Sequence, residues 1–272
     1  MQNKREEIVD RWHREAEEEG NDQAKCRLGD RYASGLGVER DDEQAVYWYR
    51  RAAMNGFAVG QDKLGFMYME GRGVEQNDEE AVSWYTKAAE QDYAGAQARL
   101  AYMYASGKGV EKSEETAADW LRRAAEQGLA GAQYNLGLMY AAGRGVEKDT
   151  EEALRLFWSA AERGESNAQH HLALMYAEGR GVDKDPKAAF GWFKQAAEGG
   201  HVKGQYNLAM SYAQGEGTVQ DYVSAYAWCS VAAIELDRAR VARDGLARSM
   251  TAEQLAEGQK LAVELQRRLE GA

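Results

Sequence analysis

The chain has 272 residues, is 44% hydrophobic and 29% charged, and carries a net charge of −11. That acidity argues against a nucleic-acid backbone or an anionic membrane as the main partner, because both reward Lys and Arg. A single proline in the whole chain points to a mostly helical protein, since proline breaks helix interiors.

No run of eighteen apolar residues occurs, so no membrane insertion is expected. The start, Met1-Gln2-Asn3-Lys4-Arg5-Glu6-Glu7, has no apolar signal-peptide core behind it. The two cysteines, Cys26 and Cys229, lie near opposite ends and make no metal or redox motif. A cytoplasmic setting is expected, with a periplasmic or secreted one as the alternative if a secretory signal has been trimmed.

A first helix is predicted from Arg5 to about Glu19. Behind it runs a period of 36 residues without insertion or deletion. Leucine recurs at Leu28, Leu64, Leu100, Leu136, Leu172 and Leu208, and tyrosine at Tyr32, Tyr68, Tyr104, Tyr140, Tyr176 and Tyr212. Glycine pairs follow, from Gly35 and Gly37 through Gly215 and Gly217, then valine in five copies and Thr218 in the sixth. Trp48, Trp84, Trp120, Trp192 and Trp228 share a register, with Leu156 in the remaining copy. Six copies at a fixed period predict a solenoid.

Each copy reads as two helices. Helix A spans Asp22 to Ser34 in copy one and puts Ala24, Leu28, Gly29 and Tyr32 on one side at about 100° per residue. Helix B opens at Asp41, Asn77, Ser113, Asp149, Asp185 or Asp221, all good N-caps. Gln44, Glu80 and Glu152 complete three predicted capping boxes. Pro186 stands just after its cap, where a helix tolerates it. Gly56, Gly128, Gly164 and Gly200 stop helix B, and Asp92 replaces glycine once.

Trp12, Ala16 and Gly20 lie 36 residues before Trp48, Ala52 and Gly56. The first helix is therefore read as a lone helix B with a charged outer side (Arg5, Glu6, Arg14, Glu17, Glu18), as a solvent-facing end cap requires. After Ala233 the period is lost. One helix is predicted over Arg238 to Met250 and another from Thr251, through a capping box with Gln254, to about Leu269. Leu246, Met250, Leu255, Leu261, Leu265 and Leu269 are placed over the open end of copy six, with a dimerising helix as the alternative.

The pattern Ala-x-x-x-Leu-Gly-x-Met-Tyr-x-x-Gly-x-Gly-Val, followed by a capped helix with Ala-x-x-Trp-x-x-x-Ala-Ala, resembles the Sel-one-like repeat (SLR) family, a longer relative of the tetratricopeptide repeats. It covers residues 22 to 233, with Trp12 to Gly20 as a half repeat. The tail from Ala242 through Gln254 is similar to the ending of many bacterial members. The resemblance implies an all-α fold, a right-handed αα-superhelix of six 36-residue helix-turn-helix repeats with N- and C-terminal capping helices. As one domain over 1–272 this divides into a capping half repeat (1–20), repeats at 21–56, 57–92, 93–128, 129–164, 165–200 and 201–236, and capping helices over 237–272. Some relatives are secreted and tied by disulfides within each repeat; this chain lacks those paired cysteines.

The Gly-x-Gly turns follow helices, not strands, and lack the lysine and serine or threonine of a phosphate loop, so helix termination is their reading. His170 and His171 are adjacent and point about 100° apart on a helix, with no third ligand type placed to join them. His13 and His201 fall at an end cap and a repeat junction, where solvent contact is expected. No Ser-His-Asp or Cys-His arrangement is assembled. No catalytic residue, cofactor or metal is therefore expected.

Positions 26, 27 and 30 of copy one and their equivalents are read as pointing away from the helix A core side. In the resembled superhelices that side lines the concave groove. The candidate partner-binding residues are Lys63, Phe66, Arg99, Tyr102, Tyr134, Asn135, Leu138, His170, His171, Leu174, Tyr206, Asn207 and Met210. Apolar members would anchor side chains. Lys63, Arg99, Asn135 and Asn207 would grip a backbone or a carboxylate. Packing between neighbouring A helices is the competing explanation for the position-30 row, and plain solvation for the position-27 row. The resemblance implies a non-enzymatic scaffold or adaptor, expected as a monomer, holding a protein or extended peptide. A cell-envelope factor linked to peptidoglycan or secretion, and a self-associating module, are the alternatives.

Overall fold

The computed structural model describes the backbone of residues 2–18 and 21–271, with side chains from residue 8 onward in those spans. The side chains of Arg5 and Glu6 and the helix stop at Gly20 lie outside the described residues. Those residues form fifteen helices. A lone helix, α1 (Gln2–Glu17), comes first. Six A–B pairs follow: α2 (Asp22–Ser34) with α3 (Asp42–Met54), α4 (Ala58–Glu70) with α5 (Asp78–Ala89), α6 (Ala94–Ser106) with α7 (Glu114–Glu126), α8 (Ala130–Ala142) with α9 (Thr150–Glu162), α10 (Ser166–Glu178) with α11 (Pro186–Glu198), and α12 (Val202–Gln214) with α13 (Tyr222–Ala232). The tail forms α14 (Asp237–Ala247) and α15 (Ala252–Glu270). Contacts divide the chain into two compact units, Met1–Ala132 with Gly143–Glu147, and Gln133–Ala142 with Lys148–Ala272.

The A–B hairpin is locked by its own backbone. The amide of each helix B cap donates to the carbonyl of the repeat's tyrosine, from Asp41 to Tyr32 (2.9 Å) through Asp221 to Tyr212 (2.9 Å). The cap side chains accept as the sequence implies: Asp41 from the Gln44 amide (2.9 Å), Asn77 from Glu80 (3.0 Å), Ser113 from Thr116 (3.1 Å). Each is worth about 1 kcal/mol. The reciprocal bonds expected from Gln44, Glu80 and Glu152 are not among the bonds their caps make. The two-way capping box forms at Thr251, where the Gln254 side chain accepts from the Thr251 amide at 3.0 Å.

Helix A meets helix B through small residues. A Cβ on Gly65 would meet the Tyr85 ring at 2.8 Å, and one on Gly137 the Phe157 ring at 2.8 Å. Where alanine stands instead, at Ala101 and Ala209, the residue at the facing register of helix B is Leu121 or Cys229, and all four are buried. Ala173 against Phe193 is the exception, an alanine with an aromatic at that register.

A glutamine row, not singled out by the periodicity reading, joins successive repeats. Gln61, Gln97, Gln169 and Gln205 are buried, and their amides donate to the carbonyls of Ala53 (3.3 Å), Ala89 (3.2 Å), Ala161 (3.1 Å) and Ala197 (3.4 Å). These carbonyls belong to the last turn of the preceding helix B, whose acceptors lack helical donors.

The two glycines of each turn do different work. The first ends helix A in the left-handed conformation; the Gly107 amide donates to Met103 at 2.9 Å. The second has positive φ as well, but it also abuts the preceding repeat. A Cβ on Gly73 would collide with the Asp42 carbonyl and sit 2.7 Å from the Glu43 amide; one on Gly109 would do the same at Asp78 and Glu79. Gly145 against Glu114 repeats the contact.

Both ends are covered, the first by the in-register helix α1 and the last by helices outside the period. In α1, Ala16 is fully buried and Trp12 packs on the cluster of Ala24, Leu28 and Trp48. At the other end Leu265 is buried with Trp228 and Val231, and Leu246, Leu261 and Leu269 pack on the same cluster.

Gly73→Ala and Gly56→Ala separate backbone strain from close approach. Both glycines have positive φ, but a Cβ on Gly56 meets nothing within 4 Å. Gly56→Ala is expected to cost about 1–2 kcal/mol in urea denaturation, and Gly73→Ala about 2 kcal/mol more, because the chain must also part from the preceding helix.

Candidate functional site

In the first unit the structure brings three of the sequence-predicted residues to one place. Lys63, Phe66 and Arg99 line an open pocket of about 310 Å³ together with Ala33, Tyr49, Asp62, Met67, Arg72 and Tyr93. Helices α2, α3, α4 and α6 and the turn after α4 contribute walls. Phe66 is half-buried against Ala45, Val46, Tyr49 and Leu64. Tyr102, one repeat on from Phe66, is 51% exposed.

The cations of this pocket are already engaged. Lys63 Nζ lies 2.7 Å from Asp30, whose other bond is accepted from the Tyr49 hydroxyl at 2.7 Å. Arg99 donates to both Asp62 oxygens at 2.7 and 2.8 Å. Arg72 donates to Asp42 (2.6 Å) and to the Ala33 carbonyl (3.0 Å). Burial pushes the Asp62 carboxyl up from its ordinary value although Arg99 pulls the other way. Neither Asp30 nor Asp62 was singled out in the sequence as the partner of this row.

Position 26 differs from the expectation. Cys26 and Asp62 are buried, not turned away. The reason lies in the neighbouring repeat: position 26 of one helix A faces position 27 of the next, 37 residues on. Asp62 meets Arg99 in this way, Tyr134 meets His171, and His170 meets Asn207. A helical wheel of one repeat cannot show a contact made between two.

In the second unit the predicted residues are mostly packing partners. Tyr134 and Leu138 rest on the cluster around Ala153, Phe157 and Leu172, and Leu174 and Met210 on that around Phe193, Leu208 and Trp228. His171 stacks on Phe157 at 4.5 Å. Tyr206 is covered by the Arg238 guanidinium at 4.4 Å, while Asn135 is exposed.

His170 and His201 stack at 4.3 Å, and the Asn207 amide lies 3.1 Å from His170 Nε2. His201 is half-buried, against the expectation of solvation, because it caps α12: its Nδ1 accepts from the Gly204 amide at 2.9 Å. His13 is likewise engaged, with Nε2 2.8 Å from the Tyr32 hydroxyl. Desolvation first, then His201, His171, Lys203 and Arg238, pushes His170 down to about 4. Desolvation and Arg180 lower His171, and desolvation and Lys203 lower His201, with Glu165 opposing. Among the described residues no group of three or more His, Cys, Asp or Glu is placed to hold a metal ion, and no helix is long and apolar enough to cross a membrane.

Two stability predictions follow from these pairings. Arg99→Ala leaves Asp62 buried without its partner; with Arg99 41% exposed, solvent screening reduces the usual cost of a broken buried pair to about 1–3 kcal/mol at neutral pH. Because the Asp62 pKa is raised, the folded state holds its proton more tightly, so this loss shrinks as pH falls toward the carboxylate range. His170, His171 and His201 work in the opposite sense. Unfolded, each binds a proton near 6.5; folded, His170 does so only at about 4. Unfolding therefore takes up protons, and stability falls as pH drops from 6.5 toward 4. A histidine contributes at most about 1.4 kcal/mol per pH unit, and His170→Gln is expected to flatten the slope in denaturant titrations between pH 7 and 5.

The Sel1 repeat family model matches residues 22–57, 58–93, 94–129, 130–165, 166–201 and 202–234. The structure is similar to that of a Sel1 repeat protein from Oxalobacter formigenes, with 37% identity over 78% of this chain and 84% of that one and a TM-score of 0.70. The fold is also similar to that of the immunity protein Pa5087 from Pseudomonas aeruginosa, with 20% identity over 78% of this chain and 81% of that one and a TM-score of 0.53. The immunity protein PA5088 from the same organism gives 22%, 69%, 70% and 0.51 for the same measures. No curated protein matches. With six matched repeats laid end to end over the helix pairs described above, this chain belongs to the Sel1 repeat family.

Proposed function

We propose that the chain is a non-enzymatic scaffold that holds a protein or extended peptide segment on its A-helix side. The observation that carries this reading is the pocket lined by Lys63, Phe66 and Arg99, with aromatic walls from Tyr49 and Tyr93. Its concavity and aromatic content suit a side chain presented by a partner.

The ion pairs favour an uncharged side chain. Lys63, Arg72 and Arg99 are matched by Asp30, Asp42 and Asp62, leaving the site close to neutral. A ligand carboxylate would have to displace Asp30 or Asp62 to reach a cation. An apolar or aromatic side chain displaces neither and gains contact with Phe66 and Met67. Tyr102 extends the same register by one repeat and is the row's most exposed aromatic.

Phe66→Ala with Tyr102→Ala is expected to lower recovery of a partner from native lysate about tenfold, with helical circular dichroism retained. Tyr47→Ala is the control, since Tyr47 is 47% exposed on helix B and should leave recovery unchanged. Equal recovery by all three proteins would overturn the reading.

A further inference from the structure

Outside that pocket, the first unit contains a smaller cavity between α1 and α2. It has a volume of about 190 Å³ and is lined by Arg11, Trp12, Glu15, Ala24, Arg27, Leu28 and Arg31. Three guanidiniums and one carboxylate give its walls a formal charge of 3 − 1 = +2, in a chain whose net charge is −11.

The repeat itself supplies the comparison that makes this cavity unusual. The position of Arg31 is filled in the other five copies by Met67, Met103, Met139, Met175 and Ser211, all buried. Copy one places a guanidinium there, stacked on the Trp12 ring at 3.6 Å, with Nη1 3.4 Å from the Leu36 carbonyl. Stacking fixes the plane of the group and leaves its remaining N–H donors directed around the ring edge.

Arg27 departs in another way. Its equivalents Lys63 and Arg99 each meet a carboxylate of the preceding helix A, Asp30 and Asp62. The half repeat before copy one is a helix B, α1, and among the described residues no helix A stands before it to supply that carboxylate. Among the described residues Arg27 has no hydrogen-bond or ion-pair partner. Arg11 is held by Glu15 at 3.2 Å, an exposed pair that leaves other donors free.

We propose that this cavity is a binding site for one compact dianion, a phosphoryl group, gripped by Arg27 and Arg31 with Arg11 at the rim. Guanidinium forks match phosphate oxygens in pairs. The excess of two positive charges equals the charge such a group approaches at neutral pH. The volume lies below the ~300–1,000 Å³ of pockets for larger ligands, so the site takes the phosphoryl group and not a nucleotide around it. The inference is independent of the scaffold reading.

Isothermal titration at low ionic strength, where screening is least, tests it with inorganic phosphate, a short phosphoserine peptide, and acetate as the monoanion control. Arg27→Asn and Arg31→Met install residues that sister repeats carry at the same positions, Asn135 and Met67 among them. Phosphate binding is expected to weaken about tenfold in each variant and further in the double variant. A phosphopeptide binding more tightly than phosphate would place the group on a partner protein; equal affinities would make it a free ion; both support the site. Arg27→Asn changes an exposed side chain, so its result stands even if Arg31→Met alters the melting temperature. Wild-type protein that binds neither phosphate nor phosphopeptide, binding undiminished in Arg27→Asn, or acetate bound as tightly as phosphate would each overturn the proposal.

Discussion

The rest of the architecture depends on one close approach. In four of the six A–B turns the second glycine lies against the first turn of the preceding helix B, so near that a methyl group at Gly73, Gly109, Gly145 or Gly217 would collide with backbone; at Gly37 it would meet the Trp12 ring and at Gly181 the Thr150 side chain. That contact brings each turn onto its predecessor and sets the distance at which other inter-repeat contacts form. At that distance a buried glutamine reaches the last carbonyls of the preceding helix B, and position 26 reaches position 27. Hydrogen bonds of this kind contribute about 1 kcal/mol each, but they require the spacing to be right first. The glycine is thus a constraint on geometry more than a source of attraction.

The repeat period made most of the fold legible. Leucine, tyrosine, glycine and tryptophan at fixed intervals report the inside of each pair, and Asp41 and its equivalents report where helix B begins. The lone first helix was readable because Trp12 and Ala16 keep the register. The structure shortens the predicted helix before Thr251, which ends at Ala247, because the capped start of α15 needs an extended Thr251 and a link before it. The glutamine row is equally periodic in sequence, but a polar residue at a fixed position looks solvated until its acceptor on another helix is known.

The candidate site was less legible for the same reason. Periodicity separates the inside of one repeat from its outside, but the outside of a repeat inside a stack is partly its neighbour. Asp62 and Arg99 are a pair only across 37 residues, and Tyr134 is half-buried only because His171 and Phe157 close on it. What varies between copies is therefore of two kinds. Some variation matches adjacent repeats to each other, as at Asp62 with Arg99. The remainder, as at Arg31 stacked on Trp12 and at the half-exposed Tyr102, does not match one helix A to the next and is where this chain differs from a generic stack.

The first repeat carries Lys25 where the others carry glutamine. Its ammonium lies 2.9 Å from Asp22 in the same helix and so does not clasp the end of α1 as Gln61 clasps α3. Among the described residues no Lys25 bond reaches the last carbonyls of α1. Amide hydrogen exchange is therefore expected to be faster at the end of α1 than at the ends of α3, α5, α9 and α11, which a glutamine clasps. A uniform repeat length thus conceals an end that is held differently from the repeats behind it.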